Sequence, residues 1–195
     1  MSDTSMADFT TTMVVLKKTK LGETDLIITG FTNEGAQVRA VAKGARKPGS
    51  KLGVHLELYS VARVLLHKGR NLDIVTEAAG INSNENCRGD IVHSAGAAVI
   101  VELLDKVSMD SEAEPRLFAL VCEALRCVGA VADEGVALIV AAAILKMTSQ
   151  LGIRPSLTTC VMCGKRAPVK AQQKEAVSAA KQAFSFSQGG LICAD

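Results

Sequence analysis

Between Met13 and Glu77 the apolar residues come in short β-prone runs cut by turn residues. No 3.6-residue period lasts long enough for a helix, so this stretch has to build a sheet. The runs predict five strands, at Met13–Lys18, Asp25–Phe31, Gln37–Ala42, Leu56–His67 and Leu72–Glu77. Asn33-Glu34-Gly35 and Lys68-Gly69-Arg70-Asn71 are compact turn signals, because Gly and Asn accept the positive φ of hairpin turns, and both imply antiparallel neighbours. Along the fourth run Leu56, Leu58, Ala62, Val64 and Leu66 fall on one face, while Glu57, Tyr59, Arg63 and His67 fall largely on the other, which predicts one core face and one wet face. Five short antiparallel strands in about 65 residues fit a small closed barrel of the oligonucleotide-binding (OB) type, in which no sheet edge stays open. An SH3-like barrel is the alternative.

From Asn86 to Leu151 the period becomes helical. Ile91, Ala95, Ala98, Val99 and Leu103 form one apolar stripe, and Leu117, Leu120, Val121, Ala124 and Val128 a second. Ser111-Glu112-Ala113-Glu114 resembles a capping box before the second helix, with Pro115 in its first turn. The third helix, Glu134 to Leu151, is apolar nearly all round and is expected at the centre of a bundle, ended by Gly152 and Pro155. Its most apolar part, Val136 to Leu145, is too short to span a bilayer, so the chain reads as cytoplasmic. A third composition begins at Thr158, where Cys160-Val161-Met162-Cys163-Gly164 is followed much later by Cys193; between them, Ala171 to Ala183 reads as an exposed helix or a flexible excursion. The chain is therefore expected to be α+β. Residues 1–12 read as a disordered tail without a secretory signal, 13–80 as the five-stranded OB-type barrel, 81–157 as an α-helical domain and 158–195 as a zinc-knuckle-like region, apparently truncated.

Charge sharpens this division. Lys and Arg outnumber Asp and Glu by 11 to 8 over residues 1–80 and by 5 to 2 over residues 156–195, whereas residues 81–155 carry 6 cations against 10 acids. A polyanion is thus expected to meet the ends. The densest cationic segment runs from Lys43 to Lys51, with Lys43, Arg46, Lys47 and Lys51 set among Gly44, Pro48, Gly49 and Ser50, which forbid a regular helix or central strand. Such a loop can lay cations along phosphates while its glycines allow close backbone approach. An ordinary solvated loop is the plainer reading. Gly44 to Lys51 also reads G-x-x-x-x-G-S-K, close to a P-loop, but the last two residues are reversed and a β-prone element follows, which argues against nucleotide hydrolysis.

Six cysteines in a reducing compartment are better explained by burial or metal than by disulfides. Cys87, Cys122 and Cys127 sit among apolar residues and are expected in the core. Cys160 and Cys163 have knuckle spacing, and with Cys193 they would supply three thiolates to a structural zinc; the fourth ligand is absent from this chain, since His55, His67 and His93 lie far away in sequence. A thiol redox pair is the other reading. No nucleophile, base and orienter constellation is legible, and Asp90, Glu102 and Asp105 read as solvated helix surface, so catalysis is not expected.

Taken in order, Leu21-Gly22-Glu23-Thr24-Asp25-Leu26-Ile27, Val41-Ala42-Lys43-Gly44-Ala45-Arg46-Lys47-Pro48 with Ser50, Leu52 and Gly53, Glu102-Leu103-Leu104-Asp105, Glu114-Pro115 with Leu117-Phe118, Leu151-Gly152 with Pro155, Leu157, Cys160, Cys163 and Gly164, and finally Phe186-Ser187 with Gly189-Gly190 and Cys193 resemble the RecO family of bacterial recombination mediators. The resemblance implies an N-terminal OB barrel, a helical domain and a zinc-knuckle region. It also implies binding to single- and double-stranded DNA, annealing of complementary strands coated by single-strand binding protein, and cooperation with RecR to load RecA, in the cytoplasm at the nucleoid. Lys43, Arg46, Lys47 and Lys51, assisted by Lys18, Lys20 and Arg39, are then expected to hold phosphates and leave bases free, since residues 11–80 hold only two aromatics, Phe31 and Tyr59. Four loop cations would give log affinity a slope of about −3 against log salt on single strands. The acidic tail of single-strand binding protein would dock on the helical domain, whose net charge of −4 gives no obvious basic cradle, though Arg116, Arg126 and Arg154 could make one locally. The competing function is a protein-interaction adaptor that binds no DNA and keeps the knuckle as structure.

Overall fold

The computed structural model describes residues 8–108, 113–166 and 183–193. Five strands, β1 (Asp8–Leu21), β2 (Asp25–Thr32), β3 (Gln37–Ala42), β4 (Val61–His67) and β5 (Asp73–Asn82), close a barrel in the order β1-β2-β3-β5-β4. Closure depends on the length of β1. Its first half pairs with β4, from Asp8↔His67 to Val14↔Val61, and its second half pairs with β2, from Met13↔Thr32 to Leu21↔Asp25. A register shift between Val15 and Lys17 bends it from one partner to the other. The turns at 33–35 and 68–71 do join antiparallel strands, but β3 and β5 pair in parallel, at Ala40↔Asp73 and Val41↔Ile74, so the barrel is mixed.

The strand bounds differ most from expectation at three places. β1 starts at Asp8, so residues 8–12 belong to the barrel rather than to a tail: Thr10, Thr11 and Thr12 are polar by composition but β-branched, and they pair with Leu65, Val64 and Arg63. β5 runs on to Asn82. The long fourth run is divided, with a short helix α1 (Lys51–His55) and a turn ahead of β4. In that turn Tyr59 adopts φ 70° and is only 5% exposed, not on the wet face. Its N–H donates to the Val15 carbonyl at 3.0 Å and its own carbonyl accepts from Asn84 Nδ2 at 2.8 Å, which holds the left-handed residue in place. Leu56 still joins Met13, Val15, Leu26, Ile28 and Val64 in the barrel interior.

A 3-10 turn (Glu85–Arg88) leads into α2 (Ile91–Val107), followed by α3 (Pro115–Val128) and α4 (Asp133–Gln150). Asp90 caps α2, its carboxylate accepting the N–H groups of Val92 and His93. The α2 stripe is one position out of phase with expectation: Gly96, Ala97, Ile100, Val101 and Leu104 are buried, while Ile91 is 81% exposed. Large residues suggested the wrong face because the closest approach needs small ones. A Cβ on Gly96 would lie 2.5 Å from Val136 Cγ1 of α4. On α3, Leu117, Val121, Ala124 and Val128 are buried as expected, and Leu125 joins them. Ser111 and Glu112 lie outside the described residues; Glu114 stands at the N-cap without a side-chain cap bond, and its N–H donates instead to Gly35 O at 3.1 Å. α4 is not the buried central helix its composition suggests. Val136, Ala143 and Met147 are buried, but Leu138 is 72% exposed, because an alanine-rich run raises mean hydropathy without needing full burial. No helix among the described residues is long and apolar enough to cross a membrane.

By its contacts the chain divides into two compact units, residues 1–144 and 145–195. In the first, α2 lies against β1 and α3 against β2. Gln37 Nε2 ties barrel to helix by donating to Asp105 Oδ1 at 3.0 Å and Ser108 Oγ at 3.2 Å. The second contains a sheet, β6 (Ser156–Cys160), β7 (Ala183–Ser185) and β8 (Gly190–Ile192), in the order β6-β8-β7. Most of the stretch expected to be a helix or excursion lies outside the described residues.

Candidate nucleic-acid interface

The basic segment is a built loop. Two turns meet there, the β1–β2 hairpin tip at 21–25 and the β3–α1 connection at 43–50. Asp25 Oδ1 accepts the Gly44 N–H at 2.7 Å and the Thr24 hydroxyl at 2.9 Å. The Gly44 N–H, then the Thr24 hydroxyl, hold the Asp25 carboxyl below the usual carboxylate range, with the charges of Lys43 and Lys47 adding to this. The Arg46 N–H donates to Thr24 O at 2.9 Å. Gly44 and Gly49 take φ of 65° and 75°, and turn bonds from Lys47 N–H to Gly44 O and from Ser50 N–H to Lys47 O, both 3.0 Å, wind the loop tightly. Ala45 is buried in the barrel interior, and a Cβ on Gly53 would lie 2.3 Å from its carbonyl oxygen. Ser50 Oγ accepts the Gly53 N–H at 3.2 Å and starts α1, so Lys51 is the first residue of a helix and not a loop residue.

The seven expected phosphate ligands separate into groups. Lys43, Lys47 and Lys51 are exposed on this frame. Arg46 is also exposed, but its guanidinium donates to Glu23 O at 2.8 Å and Gly22 O at 3.4 Å, so it works as a clamp on the hairpin tip. Lys20 is exposed near that tip, opposite Leu26. Lys18 is half-buried and bridges Glu57 at 2.7 Å. Arg39 is exposed but pairs across from Thr29, whereas Lys18 pairs across from Ile28, so the pleat turns the two cations to opposite faces. The residues that sequence reasoning did not assign to the site are Asp25, Thr24 and Ser50. Their signal was present as short polar residues at turn and cap positions, which fix main chain.

The three distal cysteines come together. Cys163 Sγ lies 3.3 Å from Cys193 Sγ, which lies 3.5 Å from Cys160 Sγ. The three sulfur atoms lie within 4.8 Å of one another, near the separation of about 3.8 Å that tetrahedral thiolate ligands of one metal ion adopt. Main-chain N–H groups of Cys163, then Cys193 and Met162, bring the Cys160 thiol down to about 6, the thiolate form that metals take. Gly164, at φ 73°, turns its N–H onto Cys160 O at 2.9 Å and closes the turn that carries Cys160 and Cys163. Cys87 is buried as expected. Cys122 and Cys127 are half-buried, and burial pushes the Cys122 thiol up to about 11. Of the cations considered for an acidic tail, Arg126 is held bidentately by Glu123 at 2.6 and 2.8 Å, and Arg154 belongs to the second unit, where it lines an open cleft with Lys146, Ser149 and Pro155.

A closed mixed five-stranded barrel with a clamped basic loop, packed on helices and followed by a thiol-bearing sheet, defines an OB-barrel protein of two units. The chain belongs to the RecO family: residues 6–84 match the model of the recombination protein O N-terminal domain and residues 88–193 that of its C-terminal domain. Relatives named DNA repair protein RecO include one from Desulfitobacterium hafniense, 33% identical over 92% of this chain, and one from Roseiflexus, 32% identical over 96%. Another, from Cutibacterium acnes, is 33% identical over 92%. The chain spans 61%, 62% and 70% of the lengths of the three relatives respectively.

Proposed function

We propose that this chain serves DNA repair as a non-catalytic strand-handling protein, binding single- and double-stranded DNA through phosphates, annealing complementary strands coated by single-strand binding protein, and helping RecR load RecA. The observation that carries the reading is the loop at 43–50. Three exposed lysines, Lys43, Lys47 and Lys51, are presented on main chain that Asp25, Thr24 and Ser50 hold in place. Main chain held in place before binding need not be ordered when a phosphate arrives.

The barrel's own aromatics favour backbone gripping over base capture. Phe31 and Tyr59 are buried, and the Phe9 ring is engaged by Lys68 Nζ at 5.5 Å from its centroid. Bases left unstacked on the barrel remain free to pair with an incoming strand, as annealing requires. In this reading zinc at Cys160, Cys163 and Cys193 cross-links the second unit and takes no part in chemistry, and the protein works in the cytoplasm at the nucleoid.

Fluorescence anisotropy with a labelled single-stranded oligonucleotide at two salt concentrations tests the proposal. Tight binding that weakens steeply with salt is the expected result. Absence of salt-sensitive binding overturns it in favour of a protein-interaction adaptor.

A further inference from the structure

The second unit exposes an aromatic ring more openly than the barrel does. Phe186 follows β7 at the start of the β7–β8 turn and is 91% exposed, the most open aromatic among the described residues. It does not stand alone. Phe184, two residues earlier on the same strand and 37% exposed, meets it edge-to-face, with ring centroids 5.3 Å apart and planes at 71°. An edge-to-face neighbour supports a ring while leaving a face open. The turn that carries Phe186 is closed by Gly189, at φ 66°, whose N–H donates to Phe186 O at 3.3 Å, and Gly190 pairs with Ser156 of β6, so the turn is tied to the sheet.

The charge carried by the described residues of this unit favours one class of partner. The described residues of this unit include the cations Lys146, Arg154, Lys165 and Arg166 and no Asp or Glu. Lys165 and Arg166 follow the knuckle directly, where Lys165 O accepts the Cys160 N–H at 2.8 Å and Arg166 bridges Thr159. An open aromatic on a unit whose described charged residues are all cations is the pairing that binds single-stranded nucleic acid, because charge draws the backbone while the ring accepts any base.

We infer that Phe186 stacks against an unpaired base, giving the chain a second strand contact, separate from the basic loop and independent of salt. The inference rests on the reading that the chain binds DNA, and it divides the labour. The loop holds phosphates, and the sheet of the second unit captures a base where the strand is open, so the contact discriminates single strands from duplex.

The sequence contains no tryptophan, so F186W in the full chain provides a fluorophore at the proposed contact. Oligothymidylate is expected to quench that fluorescence, whereas an abasic strand of the same length leaves it unchanged. F186A is expected to lower affinity for oligothymidylate roughly 5- to 100-fold with an unaltered salt slope, and to have no effect on the abasic strand. Strand binding by wild type with no quenching of F186W overturns the inference and leaves Phe186 to a protein partner. A wild-type chain that binds no strand at low salt overturns both this inference and the reading beneath it.

Discussion

Asp25 Oδ1 accepts the main-chain N–H of Gly44 at 2.7 Å, joining the tip of the β1–β2 hairpin to the basic loop across 19 positions of sequence. Because Lys43 precedes Gly44, that bond sets the direction in which the first lysine leaves the barrel. D25A is therefore expected to release the loop: amide exchange at Gly44 accelerates to that of open chain, and affinity for single strands falls several-fold. D25N, which keeps an acceptor oxygen, falls between. Hydrogen exchange and anisotropy on the same samples check this, and a Gly44 amide still protected in D25A would show that the bond is dispensable.

Lys43, Lys47 and Lys51 and the clamp Arg46 should separate in a salt titration. On single strands each neutralised phosphate contributes about 0.7 to the slope of log affinity against log salt, so the three lysines account for a slope of about −2, short of the −3 expected from four equivalent cations. The triple alanine variant should lose that amount. R46A should leave the slope almost unchanged and lower the melting temperature, because its guanidinium serves the carbonyls of Gly22 and Glu23. Equal slope changes from Arg46 and from each lysine would refute the division.

His93 offers a pH test of the helical packing. Its Nδ1 lies 2.6 Å from Asp90 and 3.7 Å from Asp133, and its Nε2 lies 2.9 Å from Val131 O, so both ring nitrogens face acceptors and the imidazolium satisfies both. The Val131 carbonyl, then Asp90, raise its pKa above the ordinary histidine value of 6.5. A raised folded-state pKa stabilises fully below the unfolded value and is lost as pH climbs through the folded one. Melting temperature should thus decline as pH rises from the ordinary histidine value through the raised one. H93Q should flatten that decline, and an unchanged profile would remove His93 from the account.

The thiol cluster predicts metal content. Purified protein should carry zinc, and C163S should lower its stoichiometry and expose Cys160 and Cys193 to alkylation, since the three sulfurs share one site. Zinc release by a chromogenic chelator, followed by mass spectrometry of alkylated peptides, measures both. Full zinc retention by C163S would place the metal elsewhere.

Gly35 joins barrel to helix. At φ 86° it packs against the main chain of Glu114 and Pro115, where an added Cβ would come within 2.4 Å. G35A should destabilise the first unit by about 1–3 kcal/mol or more from left-handed strain and main-chain overlap. Urea denaturation measures this, and a neutral result would mean that the helix start moves aside easily.

The sequence alone determined the class of fold, because two-residue alternation and turn chemistry leave a chain no other way to hide one face of each strand. It also located the cationic loop and the thiol spacing, since charge and Cys-x-x-Cys are local properties. What it misjudged depended on neighbours distant in sequence. Thr10 to Thr12 looked like tail until β4 supplied partners, the buried side of α2 ran through Gly96 because α4 approaches there, and Tyr59 left its expected face for a left-handed turn. Only the tertiary structure could sort equal charges into exposed, clamping and bridging side chains. Lys47, Arg46 and Lys18 are alike as cations, and they differ because one projects outward, one reaches the carbonyls of a neighbouring turn and one meets Glu57. Those contacts form only when the barrel closes.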